Sequence, residues 1–220
     1  IMKTVLLPEV SWRRVQGALE PFRDRARFVR MDSGGELIGA DPGPACAPDA
    51  AWFNFELVQA GIGRPFAKTL LASAALEWLQ TSMAGLDDPL FPRLAAQGVR
   101  ISNSDAQAPA IAEFVVASVL HHYQDFRERA RLQAAGEWRR TRFREVHGSH
   151  WLIIGFGNIG QRIAARVRAF EARVTGVNRS GAARPGADAM ITLERLPEVL
   201  PDADVVVLAC ALTDATRDLV

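Results

Sequence analysis

The sequence predicts an α/β protein made of two parallel-sheet domains. Three observations point there. Short apolar runs alternate with helical stretches along most of the chain. A polar break at Ser102-Asn103-Ser104-Asp105 separates two such series. The second series then opens with an apolar run that leads straight into a glycine-rich turn and a helix. The 220 residues include 26 Lys and Arg against 25 Asp and Glu, which gives no electrostatic reason to expect a nucleic acid or an anionic membrane as partner. No apolar run approaches the roughly 20 residues of a membrane helix. Two cysteines, Cys46 and Cys210, exclude a disulfide framework and a zinc cluster. The opening residues read as a strand and not as a secretory leader, which predicts a cytoplasmic protein.

The first series starts with a strand at residues 4–7. Ser11 is the expected N-cap of a helix carrying Trp12, Val15 and Leu19 on one face. Residues 34–48 are rich in Gly, Pro and Asp and read as loop. Residues 50–53 form the second strand. A helix over 66–75, a strand over 76–81, a helix over 89–97 and a strand over 99–101 follow. The polar break is the expected hinge, so the predicted domains are residues 1–102 and 103–220. A helix over residues 109–122 carries Ile111, Phe114, Val115, Val119 and Leu120 almost all round its axis, the pattern of a buried helix. Residues 123–146 carry many arginines and read as a solvated helix and loop surface.

Trp151-Leu152-Ile153-Ile154 reads as a strand buried on both faces. It runs into Gly155-Phe156-Gly157-Asn158-Ile159-Gly160, followed by a helix with Ile163, Ala164, Val167 and Phe170 on one face and a strand at residues 173–177. Strand, GxGxxG, helix and strand in that order form a dinucleotide fingerprint. The three glycines serve different ends. Gly155 permits the tight turn, Gly157 lets the backbone approach the pyrophosphate, and Gly160 lets the helix pack closely on the strand. The pyrophosphate rests on free N–H groups at the helix start. An NAD site normally presents a carboxylate to the ribose about 20 residues further on. Here Asn178 stands 18 residues after Gly160, followed by Arg179 and Ser180. Arg179 can pair with a 2′-phosphate and Ser180 can donate to it, so NADP is favoured over NAD. Arg184, four residues beyond Ser180, adds long-range attraction without an assigned contact. Strands at 189–191 and 204–210, with a helix over 193–200 between them, continue the domain. Cys210, Ala211 and Thr213 then lie at a strand's carboxyl end, where a cofactor binds.

These stretches resemble the D-isomer-specific 2-hydroxyacid dehydrogenases, nearest the glyoxylate/hydroxypyruvate reductase branch. The matching residues are Leu76-Glu77-Trp78-Leu79-Gln80 with Ala84-Gly85-Leu86-Asp87; Asn103 with Ile111-Ala112-Glu113; Gln133 with Gly136-Glu137-Trp138; His147-Gly148 with the glycine loop; and Leu212-Thr213 with Thr216-Arg217. Ala211 departs from the pattern, which usually has Pro there. The resemblance implies two Rossmann-like domains, a flavodoxin-like substrate domain and then a dinucleotide-binding domain, incomplete at its C-terminus, with the active site in the cleft between them. It implies hydride transfer between a nicotinamide and a small 2-oxo or 2-hydroxy acid. Backbone N–H groups at Ala84 and Gly85 would bind the substrate carboxylate, and Asn54 and Phe55 would line the same cleft. A homodimer built on the long helix and the Trp138 segment is implied as well. The family's acid/base His and Glu and its Arg follow a fifth strand of the cofactor domain, beyond Val220, so no catalytic residue is carried over. The 220 residues alone are expected to be inactive. His121, His122, His147 and His150 do not substitute, and no metal site is expected. Two alternatives share every residue available: a non-catalytic NAD(P)-binding regulator, and a dehydrogenase of another substrate class such as formate or phosphite.

Overall fold

A computed structural model of the protein describes residues 2–39, 47–83, 85–86 and 88–219. Cys46, Ala84 and Asp87 therefore lie outside the described residues. The chain divides into two compact units, Ile1–Ser104 and Asp105–Val220.

The first unit runs β1 (Lys3–Pro8), α1 (Glu9–Leu19), β2 (Ala26–Met31), β3 (Leu37–Ile38), β4 (Ala50–Phe53), α2 (Phe55–Gln59), α3 (Gly63–Ala72), β5 (Trp78–Thr81), α4 (Leu90–Ala96) and β6 (Arg100–Ser102). Its sheet has the order β3-β2-β1-β4-β5-β6, parallel throughout except for β3 against β2. The five parallel strands follow the flavodoxin-like order, which reverses between β1 and β4. Leu6, Val29, Phe53, Phe66, Leu79 and Leu94 centre its core. Phe53 packs edge-on against Phe66 and Phe91, at 6.1 and 5.9 Å between ring centroids.

Three expectations need correction in this unit. Ser11 does not cap α1. Pro8, with φ −65°, ends the strand and opens the helix directly. Ser11 instead sits buried in the first turn, where its hydroxyl donates to Glu56 and accepts from Asn54 Nδ2 at 2.8 Å. Strand β2 escapes a search for apolar runs because Arg27 and Arg30 interrupt it. The loop expected over 34–48 contains the two-residue β3, a strand short enough to show no periodicity.

The second unit runs α5 (Ala108–Tyr123), α6 (Phe126–Ala134), β7 (His150–Ile154), α7 (Asn158–Arg168), β8 (Arg173–Val177), β9 (Ala189–Ile191), α8 (Leu196–Val199) and β10 (Val205–Leu208). The sheet order is β10-β7-β8-β9, all parallel. Every residue of β7 is buried. Successive side chains of a strand alternate in direction, so Trp151 and Ile153 pack with Val116, Ile163 and Val167 on one face. Leu152 and Ile154 pack with Val177, Ile191 and Leu196 on the other. Burial on both faces is what made β7 a continuous apolar run.

Two further expectations change here. α5 is apolar nearly all round, but of its larger residues only Val116 and Tyr123 are buried, and Phe114 is 72% exposed. One face of the helix packs on α7, and the face bearing Phe114 covers none of the core. Phe170 lies beyond the end of α7 and is exposed, whereas Ile163, Ala164 and Val167 are buried as the periodicity requires.

The amino ends of the strands share one device. Asp49, just before β4, accepts from the Thr4 N–H of β1 at 2.7 Å. Asp188, just before β9, accepts from the Val174 N–H of β8 at 2.8 Å. Asp204, just before β10, accepts from the His150 N–H of β7 at 2.7 Å. Each has a cation beside it: Lys3 at 2.9 Å from Asp49, Arg168 on Asp188 and Arg144 on Asp204. The Val174 N–H and then Arg168 hold the Asp188 carboxyl below the ordinary carboxylate range. The His150 N–H, with Arg144, does the same for Asp204 against the opposing effect of burial. For Asp49, burial is the largest single influence and pushes upward, but the Thr4 N–H and Lys3 together outweigh it and the net direction is down.

Candidate functional site

At the carboxyl ends of β7, β8 and β10 the second unit opens a pocket of about 520 Å³. Its walls come from three loops: Gly155, Phe156 and Gly157 after β7; Asn178, Arg179, Ser180 and Arg184 after β8; and Ala209, Cys210, Ala211 and Thr213 after β10. In a parallel sheet with helices following the strands, this is the end where ligands bind.

The three glycines of the turn differ in what surrounds them. Gly155 has φ +96°, and a Cβ there would come within 2.6 Å of the Ala209 carbonyl oxygen. A Cβ on Gly160 would be driven into the Gly155 carbonyl oxygen and lie 3.1 Å from Ile153 Cγ2. Gly157 has an ordinary φ of −84° and nothing within 4 Å of its would-be Cβ. The first and third are thus required by the fold, whereas the second leaves open space that a ligand would fill. Gly176 was not singled out from sequence. A Cβ on it would meet the Phe156 ring at 2.6 Å, so this lone strand glycine seats the aromatic ring of the turn.

The Gly155 and Phe156 N–H groups both donate to the Val177 carbonyl at 3.1 Å and are not free for a ligand. α7 begins at Asn158 with no side-chain cap, so its first-turn N–H groups have no intrahelical acceptor. The Asn158 side chain donates to Asp105 Oδ2 at 3.3 Å, Ile159 is half-buried against the core, and Gly160 is buried. This loop fits a dinucleotide: an uncapped helix start, room at Gly157, and no side chain competing for the amides.

The loop after β8 is internally tied. Asn178 Oδ1 accepts from the Ser180 N–H at 3.1 Å, and Asn178 Nδ2 donates to the Ala182 carbonyl at 3.0 Å. Arg179 and Arg184 are exposed, and neither forms an ion pair among the described residues. No acidic residue lines the pocket among those described. After β10, Thr216 Oγ1 donates to the Ala211 carbonyl at 2.6 Å and accepts from the Thr213 N–H at 2.7 Å, which folds the Ala211–Thr216 segment against the pocket. Cys210 is a free, half-buried thiol.

Of the residues expected at a substrate, Ala84 lies outside the described residues. Gly85 is half-buried and Asn54 is buried, both in the first unit. The Asn54 amide ties α2 to α1 through Ser11. No histidine reaches the pocket of the second unit. His121 and His122 are exposed at the end of α5, and His147 pairs with Glu171 on the surface. His150 is buried between Thr175 Oγ1 at 2.8 Å and the Asp202 carbonyl at 3.1 Å. Among the described residues there is no cluster of three or more His, Cys, Asp or Glu able to hold a metal, and no helix long and apolar enough to cross a membrane.

Residues 116–220 match the family model described as "D-isomer specific 2-hydroxyacid dehydrogenase, NAD binding domain". Among curated proteins, the chain is 27% identical over 139 residues to a hydroxypyruvate reductase of Thermotoga maritima, covering 62% of this chain and 44% of that protein. It is 28% identical over 161 residues to a glyoxylate reductase of Thermococcus kodakarensis, covering 68% and 48%. Among solved structures, it superposes with a TM-score of 0.74 and 21% identity on a D-isomer specific 2-hydroxyacid dehydrogenase from Xanthobacter autotrophicus in complex with NADPH and MES, covering 100% of this chain and 67% of that one. The chain spans about half the length of the curated relatives it matches.

Proposed function

We propose that the chain, whose residues 116–220 match the D-isomer specific 2-hydroxyacid dehydrogenase NAD binding domain, belongs to that family and serves hydride transfer between NADP(H) and a small 2-oxo or 2-hydroxy acid such as glyoxylate or hydroxypyruvate. The observation that carries this reading is the carboxylate-free pocket of the second unit, with Arg179 beside the glycine turn. Residues 103–220 act as the dinucleotide domain and residues 1–102 as the substrate domain. The first-turn amides at Asn158, Ile159 and Gly160 hold the pyrophosphate, and the open space at Gly157 admits it. Arg179 and Ser180 take the 2′-phosphate. Phe156, Cys210, Ala211 and Thr213 wall the pocket. Asn54 and the amides at Ala84 and Gly85 belong to the substrate side. When bound, the nicotinamide supplies or takes the hydride. The relative from Xanthobacter autotrophicus, described with NADPH, supports the choice of cofactor.

A homodimer completes the reading. It is supported by the exposure of Phe114, Phe143 and the whole Trp138 side chain on the second unit, large aromatic surface of the kind that centres interfaces. The deciding experiment uses the full-length gene product, because residues 1–220 alone are expected to be inactive, and follows NADPH oxidation spectrophotometrically with glyoxylate, hydroxypyruvate and larger 2-oxoacids. Consumption that depends on a 2-oxoacid is expected. Tight NADPH binding without turnover on any of them would instead leave a binding protein and overturn the enzymatic reading.

A further inference from the structure

We propose that the loop at residues 178–186, read as part of an NADP(H) site, is a two-armed clamp for a ribose phosphomonoester: Arg184 is its second specificity-determining arm, and Asn178 is the positioning residue that holds the two arms together.

The loop's own bonds define its shape. An Asn side chain offers one acceptor and two donors. Here the acceptor takes the Ser180 N–H at 3.1 Å and a donor goes to the Ala182 carbonyl at 3.0 Å. Asp could accept the first bond but not donate the second, and would bring a negative charge beside Arg179. Ala could do neither. Beyond the staple, Gly181 at φ +65° and Gly186 at φ +92° turn the chain. A side chain at Gly181 would be strained at that φ, and its Cβ would lie 3.2 Å from Thr192 Cγ2. The Ala187 N–H then reaches back to the Arg184 carbonyl at 3.4 Å. Arg179 departs within the staple and Arg184 just after it, and both line the same pocket.

The charges then need an explanation. Some arginines of this unit have carboxylate partners, such as Arg166 with Glu113, Arg168 with Asp188 and Arg195 with Glu198, and others, such as Arg127 and Arg142, have none among the described residues but lie away from the pocket. Arg179 and Arg184 have none among the described residues, and two like charges held at one pocket repel. A phosphomonoester dianion removes that repulsion and offers three oxygens to two planar guanidinium groups and the Ser180 hydroxyl. That hydroxyl is only loosely engaged within the loop, 3.3 Å from the Ala182 N–H and 3.4 Å from Asn178 Oδ1, and can turn toward a ligand.

The test uses calorimetric titration of the full chain with adenosine 2′,5′-bisphosphate and, separately, adenosine 5′-diphosphate. The wild type should favour the first. Arg184→Ala should weaken adenosine 2′,5′-bisphosphate by about tenfold and leave adenosine 5′-diphosphate unchanged, with Arg184→Lys recovering part of the loss. Asn178→Ala should reduce the same preference severalfold, because the arms lose their common geometry. If Arg184→Ala or Asn178→Ala lowers both ligands equally, or neither, while the wild type keeps its preference, the clamp is refuted and the NADP reading stands. If the wild type itself shows no preference, the NADP reading fails, and the clamp with it.

Discussion

The two ends of the four-stranded sheet in the second unit carry opposite charge arrangements. At the amino ends, Asp188 and Asp204 each accept a backbone N–H from the start of a neighbouring strand, and each has its own arginine. At the carboxyl ends stand glycines, an uncapped helix start and two arginines that have no carboxylate partner among the described residues. The first unit repeats the amino-end device with Asp49 and Lys3. Paired charge at the amino ends satisfies the backbone that the sheet leaves over, and so contributes to folding. Unpaired charge at the other end contributes nothing to folding and is available to a ligand.

The largest way to break this contrast lies within the glycine turn. Gly155→Ala places a side chain at φ +96° and against the Ala209–Cys210 backbone. It should cost about 2–4 kcal/mol of stability, read as a lower urea midpoint. Gly157→Ala meets no protein atom within 4 Å. It should shift stability by no more than about 0.5 kcal/mol and yet abolish measurable dinucleotide binding, since its methyl occupies the ligand's space. Equal destabilisation by both substitutions would contradict the division between folding and binding glycines.

The amino-end clamps come next. Asp204→Ala leaves the His150 N–H without its acceptor and Arg144 without its carboxylate. The expected loss is about 1–2 kcal/mol, at the lower end because the side chain is partly exposed. Asp204→Asn keeps an acceptor and should cost less. Nucleotide affinity should follow neither change, which a titration at a temperature well below the unfolding transition will check.

Acid sharpens the same contrast. Asp49, Asp188 and Asp204 all titrate below their ordinary range in the folded chain. Their stabilising contribution is therefore fully present above the unfolded-state value near 4 and is lost as the pH falls through the depressed folded values. Urea midpoints should be flat from pH 7 to about 5 and drop below that. The double variant Asp188→Asn with Asp204→Asn should start lower and drop less. A wild-type midpoint unchanged down to about pH 3 would remove these aspartates from the stability argument.

The smallest effect expected is that of salt on the carboxyl end. Arg179 and Arg184 are exposed, so their attraction for a 2′-phosphate is screened within about 10 Å at 0.1 M salt. Raising ionic strength should narrow the preference for adenosine 2′,5′-bisphosphate severalfold and leave adenosine 5′-diphosphate less affected. A preference insensitive to salt would mean that neutral hydrogen bonds dominate.

Much of this was legible without coordinates. Strands β4, β8 and β9 fall at the residues their apolar runs mark, and the glycine turn falls between strand and helix as its spacing requires. Local chemistry suffices in such places, because period, propensity and turn residues agree. It did not suffice for β2, where Arg27 and Arg30 interrupt the apolar pattern, or for Ser11, whose hydroxyl serves a residue 45 positions away.

The sequence by itself therefore determined the α/β class, the dinucleotide turn with its three distinct glycines, and the absence of a carboxylate after β8. These depend on residue type and near spacing, which a linear reading contains. Only the tertiary structure decided what those residue types face. It showed that Gly155 and Gly160 answer to backbone while Gly157 answers to open space. It showed that the Asn178 amide binds its own loop, and that Arg184 lines the pocket with Arg179. The physical reason is that a side chain's role depends on which donors, acceptors and charges surround it. Those neighbours come from distant parts of the chain, and only folding brings them together.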